Sequence, residues 1–379
     1  MSKIKLFTHT DLDGIGCAIL AYLAFGRESV DVEYCDYGDI NEKFRKFYYS
    51  HEFDKYDKVF ITDISICDEL AAEVDFDNEE QKLKLFDHHA TAVGLNQFKW
   101  CTVCETLPND SFYKTCGTEL FYLYLDGCDL FKKHINRIQK NIAAFTCLVR
   151  DWDTWKWKDN GVKGIIAKQV NMLSDIYSRD EFIEWALYQI KHADVMNFPD
   201  FSVCDKTVLD LKQREINSYI DEKGTQLTVK TDKFGYTYGV LFAEKYFSEM
   251  GNTLCEKHPE LDYIAMIDIS NGRVSYRTVK GEINVGGEIA HAYGGGGHPK
   301  AAGSTFDKDR IQRTVHGLIF SDKQHNKLLG LNGYDLMRIR ECYTCPYFEQ
   351  CKKEVSDPED DTDGKCLTKK KYQGYRHSR

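Results

Sequence analysis

The first half of this chain predicts an α/β fold built on a parallel sheet, and a second, smaller α/β domain follows. Three observations predict it. Short apolar runs at 3–7, 30–35, 58–65 and 82–86 have strand length and alternate with helix-length segments, the pattern of a parallel sheet. Three of these runs end in carboxylates or imidazoles, and ligands gather at the carboxyl ends of such strands. Beyond about residue 225 the strand pattern restarts, with an Asn271-Gly272 turn typical of a hairpin.

Lys3-Ile4-Lys5-Leu6-Phe7 alternates as a first strand and runs into Thr8-His9-Thr10-Asp11-Leu12-Asp13-Gly14. The apolar segment Ile15 to Leu23 then reads as a helix. On extended backbone His9, Asp11 and Asp13 share one side, and Gly14 permits the turn into the helix. A plain N-cap would explain one of those carboxylates but not the set. Val30 to Cys35 is a second strand, and Lys58 to Ser65 a third that carries Asp63 before a helix at Asp68 to Val74. Lys82 to Phe86 is a fourth, delivering Asp87, His88 and His89; three metal-binding side chains in a row need a strand end or tight loop. Helices follow at about Gly117 to Leu125 and Ile135 to Val149, and after them come Asp151 and Asp153 among Trp152, Trp155 and Trp157. The tryptophans read as core or as walls. Cys101 and Cys104 read as structural, since nothing nearby completes a four-ligand set.

Carboxylates and imidazoles in this mixture suit Mn²⁺ or Mg²⁺ better than a thiolate-rich zinc centre. Two such ions can activate water and stabilise both oxygens of an in-line displacement at phosphorus. Either Asp63 or Asp87 could bridge them, and His88 is placed to bond a ligand, the attacking water or the phosphate, or to sit against the metals.

His9-Thr10-Asp11-Leu12-Asp13-Gly14, Asp63, Asp87-His88-His89 and Asp151 resemble, in that order, the four motifs of the DHH phosphoesterase superfamily. The resemblance implies a two-Mn²⁺ hydrolase with His9, Asp11, Asp13, Asp63, Asp87, His89 and Asp151 as ligands, Asp153 competing with Asp151. Asp63, Asp87 and His88 are the implied catalytic groups.

The segment 176–224 reads as a helical connector without chemistry-bearing clusters, with helices at Phe182 to Ile190 and Val208 to Tyr219. Strands at Gly235 to Phe242, Tyr263 to Ile269 and Arg273 to Val279 open the next domain. There, Gly294-Gly295-Gly296-Gly297-His298-Pro299-Lys300-Ala301-Ala302-Gly303 has unobstructed backbone N–H groups that can wrap a phosphate. The run resembles the GGGHxxAAG signature of the DHHA1 substrate-binding domain. That resemblance implies a substrate domain facing the catalytic one across a cleft, with Arg277, Gly295, Gly296, Gly297 and His298 on the phosphate or nucleotide.

Past about residue 326, Cys342, Cys345, Cys351 and Cys366 have the spacing of a second metal site, zinc or an iron–sulfur cluster. The expected organisation is therefore a catalytic domain at 1–175, a connector at 176–224, a substrate domain at 225–325 and a Cys-rich metal-binding extension at 326–379.

A formal net charge of -10 argues against sequence-blind grip on duplex DNA but leaves nucleic-acid ends and nucleotides open as substrates. Fourteen cysteines with no secretion signal read as thiols and metal ligands in a cytoplasmic protein, with no run apolar enough for a membrane span. The expectation is a metal-dependent phosphodiesterase that hydrolyses short oligonucleotides or dinucleotides to mononucleotides, with a homodimer left open. The alternatives are a 3′-phosphoadenosine-phosphate phosphomonoesterase, a RecJ-like single-strand exonuclease and a non-catalytic nucleotide-binding protein.

Overall fold

A computed structural model describes residues 3–75, 82–107, 110–312 and 314. The expected cysteine site at Cys342, Cys345, Cys351 and Cys366 lies outside them. The chain divides into two units between Asn217 and Ser218.

The first unit begins with β1 (Ile4–Thr8), α1 (Leu12–Phe25), β2 (Val30–Tyr34), α2 (Ile40–Tyr49), β3 (Lys58–Thr62), α3 (Asp68–Asp75), β4 (Leu83–Asp87) and β5 (Cys101–Val103). The five strands form one parallel sheet in the order β2-β1-β3-β4-β5, as the alternation predicts. All of β1 is buried, Ile4 and Leu6 on one face and Phe7 on the other beside Lys5, whose charge is paired with Asp31 and Glu33. One face packs Phe7, Phe44, Phe47, Val59, Ile61 and Leu85 into a core under α2 and α3.

A small hairpin follows, β6 (Thr106–Leu107) and β7 (Asp110–Lys114). The helices α4 (Gly117–Gly127), α5 (Asn136–Asp153), α6 (Gly161–Ile176), α7 (Arg179–His192) and α8 (Val203–Gly224) come next. Helix α7 opens on a capping box at Ser178 and Glu181 and is tied to α5, whose Asn141 amide donates to the carbonyls of Ile190 and Ala193. The segment read as a connector is therefore divided. Its first helix is bonded into the first unit, and α8 runs through the boundary between units.

The second unit carries β8 (Thr228–Thr231), β9 (Thr237–Phe242), α9 (Phe247–Lys257), β10 (Tyr263–Asp268), β11 (Arg273–Arg277), β12 (Gly296–His298) and β13 (Ala301–Thr305). They form a six-stranded sheet, β12-β13-β11-β10-β9-β8, antiparallel except for the β9–β10 pair that α9 connects. The hairpin at Asn271-Gly272 forms, with Gly272 at φ +66°. Its core joins Tyr263, Ala265, Tyr276 and Ala302 to a single π-turn at Val285–Ala290.

The glycine run differs from expectation. Gly296 to His298 is an edge strand paired with β13, not an open loop. A Cβ on Gly286 of the π-turn would collide with the Gly297 carbonyl, and Gly297 itself sits at φ +138°. These glycines let two backbones touch. Strand β8 also escapes sequence reading, because its Thr-Val-Lys-Thr is wholly exposed and shows no alternation.

Candidate metal centre

The sheet register builds the site. Thr8 of β1 pairs with Thr62 of β3, and Thr62 with Phe86 of β4. The next residue on each strand is His9, Asp63 and Asp87, so these three line up across neighbouring strand ends. The Thr62 hydroxyl donates to Thr8 Oγ1 at 2.9 Å, and that of Thr8 donates to the Gly14 carbonyl at 3.0 Å, which pins the edge beneath them.

Asp11 keeps extended backbone beside His9, as expected, but Asp13 does not, because the helix already starts at Leu12. Asp11 is the N-cap of α1, accepting from Gly14 N at 3.1 Å while its other oxygen lies 2.9 Å from His9 Nδ1. Asp13 sits in the first turn and accepts from the backbone N–H groups of Gly117 (2.6 Å) and Thr118 (2.7 Å) at the start of α4. This brings α4 against Asp63, where a Cβ on Gly117 would fall 2.5 Å from Asp63 Cβ. Asp63 itself holds φ +56°, a left-handed backbone that non-glycine residues adopt at a cost of roughly 1–3 kcal/mol.

Three groups of metal-capable side chains result: His9, Asp11 and Asp63; Asp63, Asp87, His88 and His89; and Asp13, His88 and Asp153. Asp63 belongs to the first two groups and His88 to the last two. His88 Nε2 lies 3.3 Å from Asp63, 3.5 Å from Asp153 and 3.7 Å from Asp13, the most central atom of the set. His89 is more peripheral, its Nδ1 2.7 Å from Asp87 Oδ1.

Asp151 is not among them, and its expected place is taken by Asp153. Helix α5 does not stop at Val149 but runs through Asp153, and two residues on a helix are about 200° apart. Only one of the two can face the strand ends. Asp151 turns away, receiving Arg150 Nη2 at 2.7 Å on one oxygen and Asn160 at 2.7 Å on the other.

Burial and the neighbouring carboxylates of Asp13 and Asp11 push Asp63 well above the ordinary carboxylate range. Burial and the same two neighbours do so for Asp153. Burial works to raise Asp87 too, but the bond and charge of His89, with Ser65 and His88, outweigh it and hold this carboxyl low. Burial likewise lowers His88 despite Asp13 beside it. Asp63 Oδ2 and His88 Nε2 are buried and make no hydrogen bond. Carboxylates crowded around orphaned polar atoms fit a divalent cation, the counter-charge that the chain itself does not provide here.

Two residues at the rim went unread in the sequence. The Tyr37 hydroxyl is 2.9 Å from His89 Nε2, and the Ser65 hydroxyl donates to Asp87. Their positions just past the ends of β2 and β3 were the available signal.

On the second unit, Arg277, Ala301 and His298 are register partners on adjacent strands and so share one sheet face. Arg277 donates to the Tyr276 carbonyl (2.9 Å) and the Ser248 hydroxyl (3.1 Å), while its Nε is buried without a partner. Burial lowers the guanidinium below its ordinary value.

Over 305 residues, 79% of this chain and 72% of the relative, the sequence is 37% identical to oligoribonuclease NrnB of Bacillus subtilis (strain 168). The chain belongs to that relative's family, within the DHH phosphoesterases. The fold agrees: the DHH domain of a member of a ribosomal-protein family matches with a TM-score of 0.53 at 11% identity, covering 83% of this chain and 85% of that one. A structure of exonuclease RecJ bound to manganese aligns at a TM-score of 0.48 and 12% identity over 85% of this chain and 91% of that one. No family model matches the sequence. Membership gives the carboxylate edge of this DHH protein its context. Among the described residues, no helix is long and apolar enough to cross a membrane, and no disulfide joins their cysteines.

Proposed function

We propose that this DHH protein is a divalent-metal phosphodiesterase that hydrolyses short oligonucleotides to mononucleotides. The observation that carries the reading is the row of His9, Asp63 and Asp87 on three strand ends, with Asp63 Oδ2 and His88 Nε2 buried and unbonded. The NrnB relative is by name an oligoribonuclease, which supports this substrate class.

His9, Asp11 and Asp63 would hold one ion and Asp13, His88 and Asp153 a second, and the group of Asp63, Asp87, His88 and His89 would add further ligands. His89 keeps its Nδ1 on Asp87 and orients that carboxylate. An oxygen- and imidazole-rich set of this kind suits Mn²⁺ or Mg²⁺. Such ions supply an activated water and charge neutralisation at phosphorus. His88, lowered by burial, offers a neutral imidazole, and the Tyr37 hydroxyl stands at the rim as a hydrogen-bond donor. In the second unit, the Arg277 guanidinium with its unbonded Nε, and His298 on the same face, are the proposed phosphate contacts. The Gly295, Gly296 and Gly297 backbone supports this role by carrying His298 on β12.

The test is the purified protein with Mn²⁺ and end-labelled RNA and DNA of two to five nucleotides, alongside cyclic dinucleotides and adenosine 3′,5′-bisphosphate. Stepwise shortening to mononucleotides is expected. Orthophosphate released from the bisphosphate alone, or no turnover of any substrate, overturns the reading.

A further inference from the structure

The C-terminal end of α5 carries a feature that the metal centre does not use. Immediately around Asp153, three of the chain's five tryptophans gather at the surface. Trp152 and Trp157 stack with ring centroids 5.4 Å apart at 26°, and Trp155 lies 6.2 Å from Trp157 at 35°. None is a core residue: Trp152 and Trp157 are half-buried and Trp155 is 41% exposed. Their expected role as core therefore does not hold.

Cations accompany the rings. Lys158 Nζ lies 5.4 Å from the Trp155 ring and 5.7 Å from that of Trp157, and Lys168 is 5.8 Å from Trp157. Lys156 covers Tyr113 at 4.5 Å. In a chain of net charge -10, this local concentration of lysine beside a carboxylate cluster stands against the average.

The loop is also built to hold Trp155 out. Trp155 sits at φ +64°, a conformation disfavoured for a bulky residue. Its N–H donates to the Trp152 carbonyl at 3.1 Å, and the far end of the loop is fixed by Asn160 donating to Asp151. This left-handed residue follows the C-cap Thr154 and ends α5, while its ring stays 41% exposed among tryptophans and lysines, an aromatic surface open to a ligand.

We propose that Trp152, Trp155 and Trp157, with Lys156 and Lys158, form a stacking platform for a nucleobase next to the phosphate held at the Asp153 side of the cluster. This rests on the oligonucleotide reading and deepens it. Aromatic faces with interspersed cations bind single-stranded bases with little sequence preference, at about 1–3 kcal/mol per stacked base. Such a platform separates a nucleic-acid end from a simple phosphate ester.

The experiment uses the full-length protein with Ca²⁺ in place of Mn²⁺ and two probes, an RNA trinucleotide bearing 2-aminopurine and an abasic phosphodiester of equal length. Tryptophan quenching and 2-aminopurine fluorescence report binding, and Mn²⁺-dependent turnover is followed separately. The wild type is expected to bind the base-bearing probe more tightly than the abasic one. Trp155→Ala should weaken only the base-bearing probe, by about five- to a hundred-fold, and Trp155→Phe should restore most of it. With Mn²⁺, KM for the trinucleotide should rise in Trp155→Ala with kcat little changed. Equal binding of both probes by wild type and Trp155→Ala overturns the platform, as does an equal loss on both probes. A protein that shows the base preference but cleaves nothing with Mn²⁺ leaves the platform standing and removes the phosphodiesterase reading.

Discussion

Two sets of carboxylates meet α5 at Asp151 and Asp153, within one helix turn of each other, and the chain treats them oppositely. Asp151 and Glu119 have a protein counter-ion: Arg150 reaches Asp151 at 2.7 Å and Glu119 at 3.1 Å, with Tyr113 also bonded to Glu119 at 2.7 Å. Asp153, Asp63 and Asp13 face one another around His88, with His9 beside Asp63 and, among the described residues, no arginine or lysine in an ion pair with any of the three. The first set is ion-paired within the protein, although Glu119 Oε2 is buried without a hydrogen bond and burial raises that carboxyl to about 7. The second lacks such a partner and has the side chains to hold a divalent cation. A carboxylate's surroundings, more than its burial, tell which task it has.

The contrast can be broken from its strongest end. Asp63→Asn should lower Mn²⁺-dependent cleavage of a dinucleotide by about a thousand-fold or more, and should remove the rise in Tm that divalent ions give the wild type. Retained activity would mean that the strand-end row is not the reaction centre.

The paired substitutions on α5 come next. Asp151→Asn should cost about 3 kcal/mol in a urea melt, because the Arg150 guanidinium, which donates twice to Asp151 Oδ1, loses that anionic partner, while activity per folded molecule stays close to normal. Asp153→Asn should do the reverse, raising Tm in EDTA by relieving repulsion and losing activity. Equal effects from both would erase the distinction.

On the second unit, Arg277→Gln should raise KM for a dinucleotide about ten-fold with a smaller change in kcat, as expected for one charged hydrogen bond lost.

The smallest effect is in pH. A carboxyl raised by folding contributes stability below its ordinary value near 3.8 and loses it as pH climbs through the raised one. The Tm difference between Asp153→Asn and wild type in EDTA should therefore be near zero at the acid end and widen as pH rises above about 4. A gap that narrows with pH would show that Asp153 is stabilised as an anion.

Much of this was legible from residue order. Parallel strands with helix-length gaps fix where their ends go, so the shared edge of His9, Asp63 and Asp87 follows from the order of elements alone. What stayed hidden depends on phase and tertiary contact. Asp151 and Asp153 exchange roles on whether α5 ends four residues sooner, a boundary that local pattern does not set. The double role of Asp13 needs a helix more than a hundred residues away, and the glycine run needs a π-turn pressed on its backbone. Tyr37 belongs to a turn whose residues show no periodicity.

The bonds from Gly117 and Thr118 to Asp13 span 104 and 105 residues of sequence. Closing a loop of that length comes late in folding, since its entropy is spent before its contacts reward it. A chain in which α4 has not docked on α1 leaves Asp13 without these two donors and the cluster without one fixed carboxylate. Affinity for the ion thus reports completion of the first unit, and ion and native state stabilise each other through linkage. The cluster is thus complete only where the first turns of α1 and α4, 104 residues apart in sequence, have met.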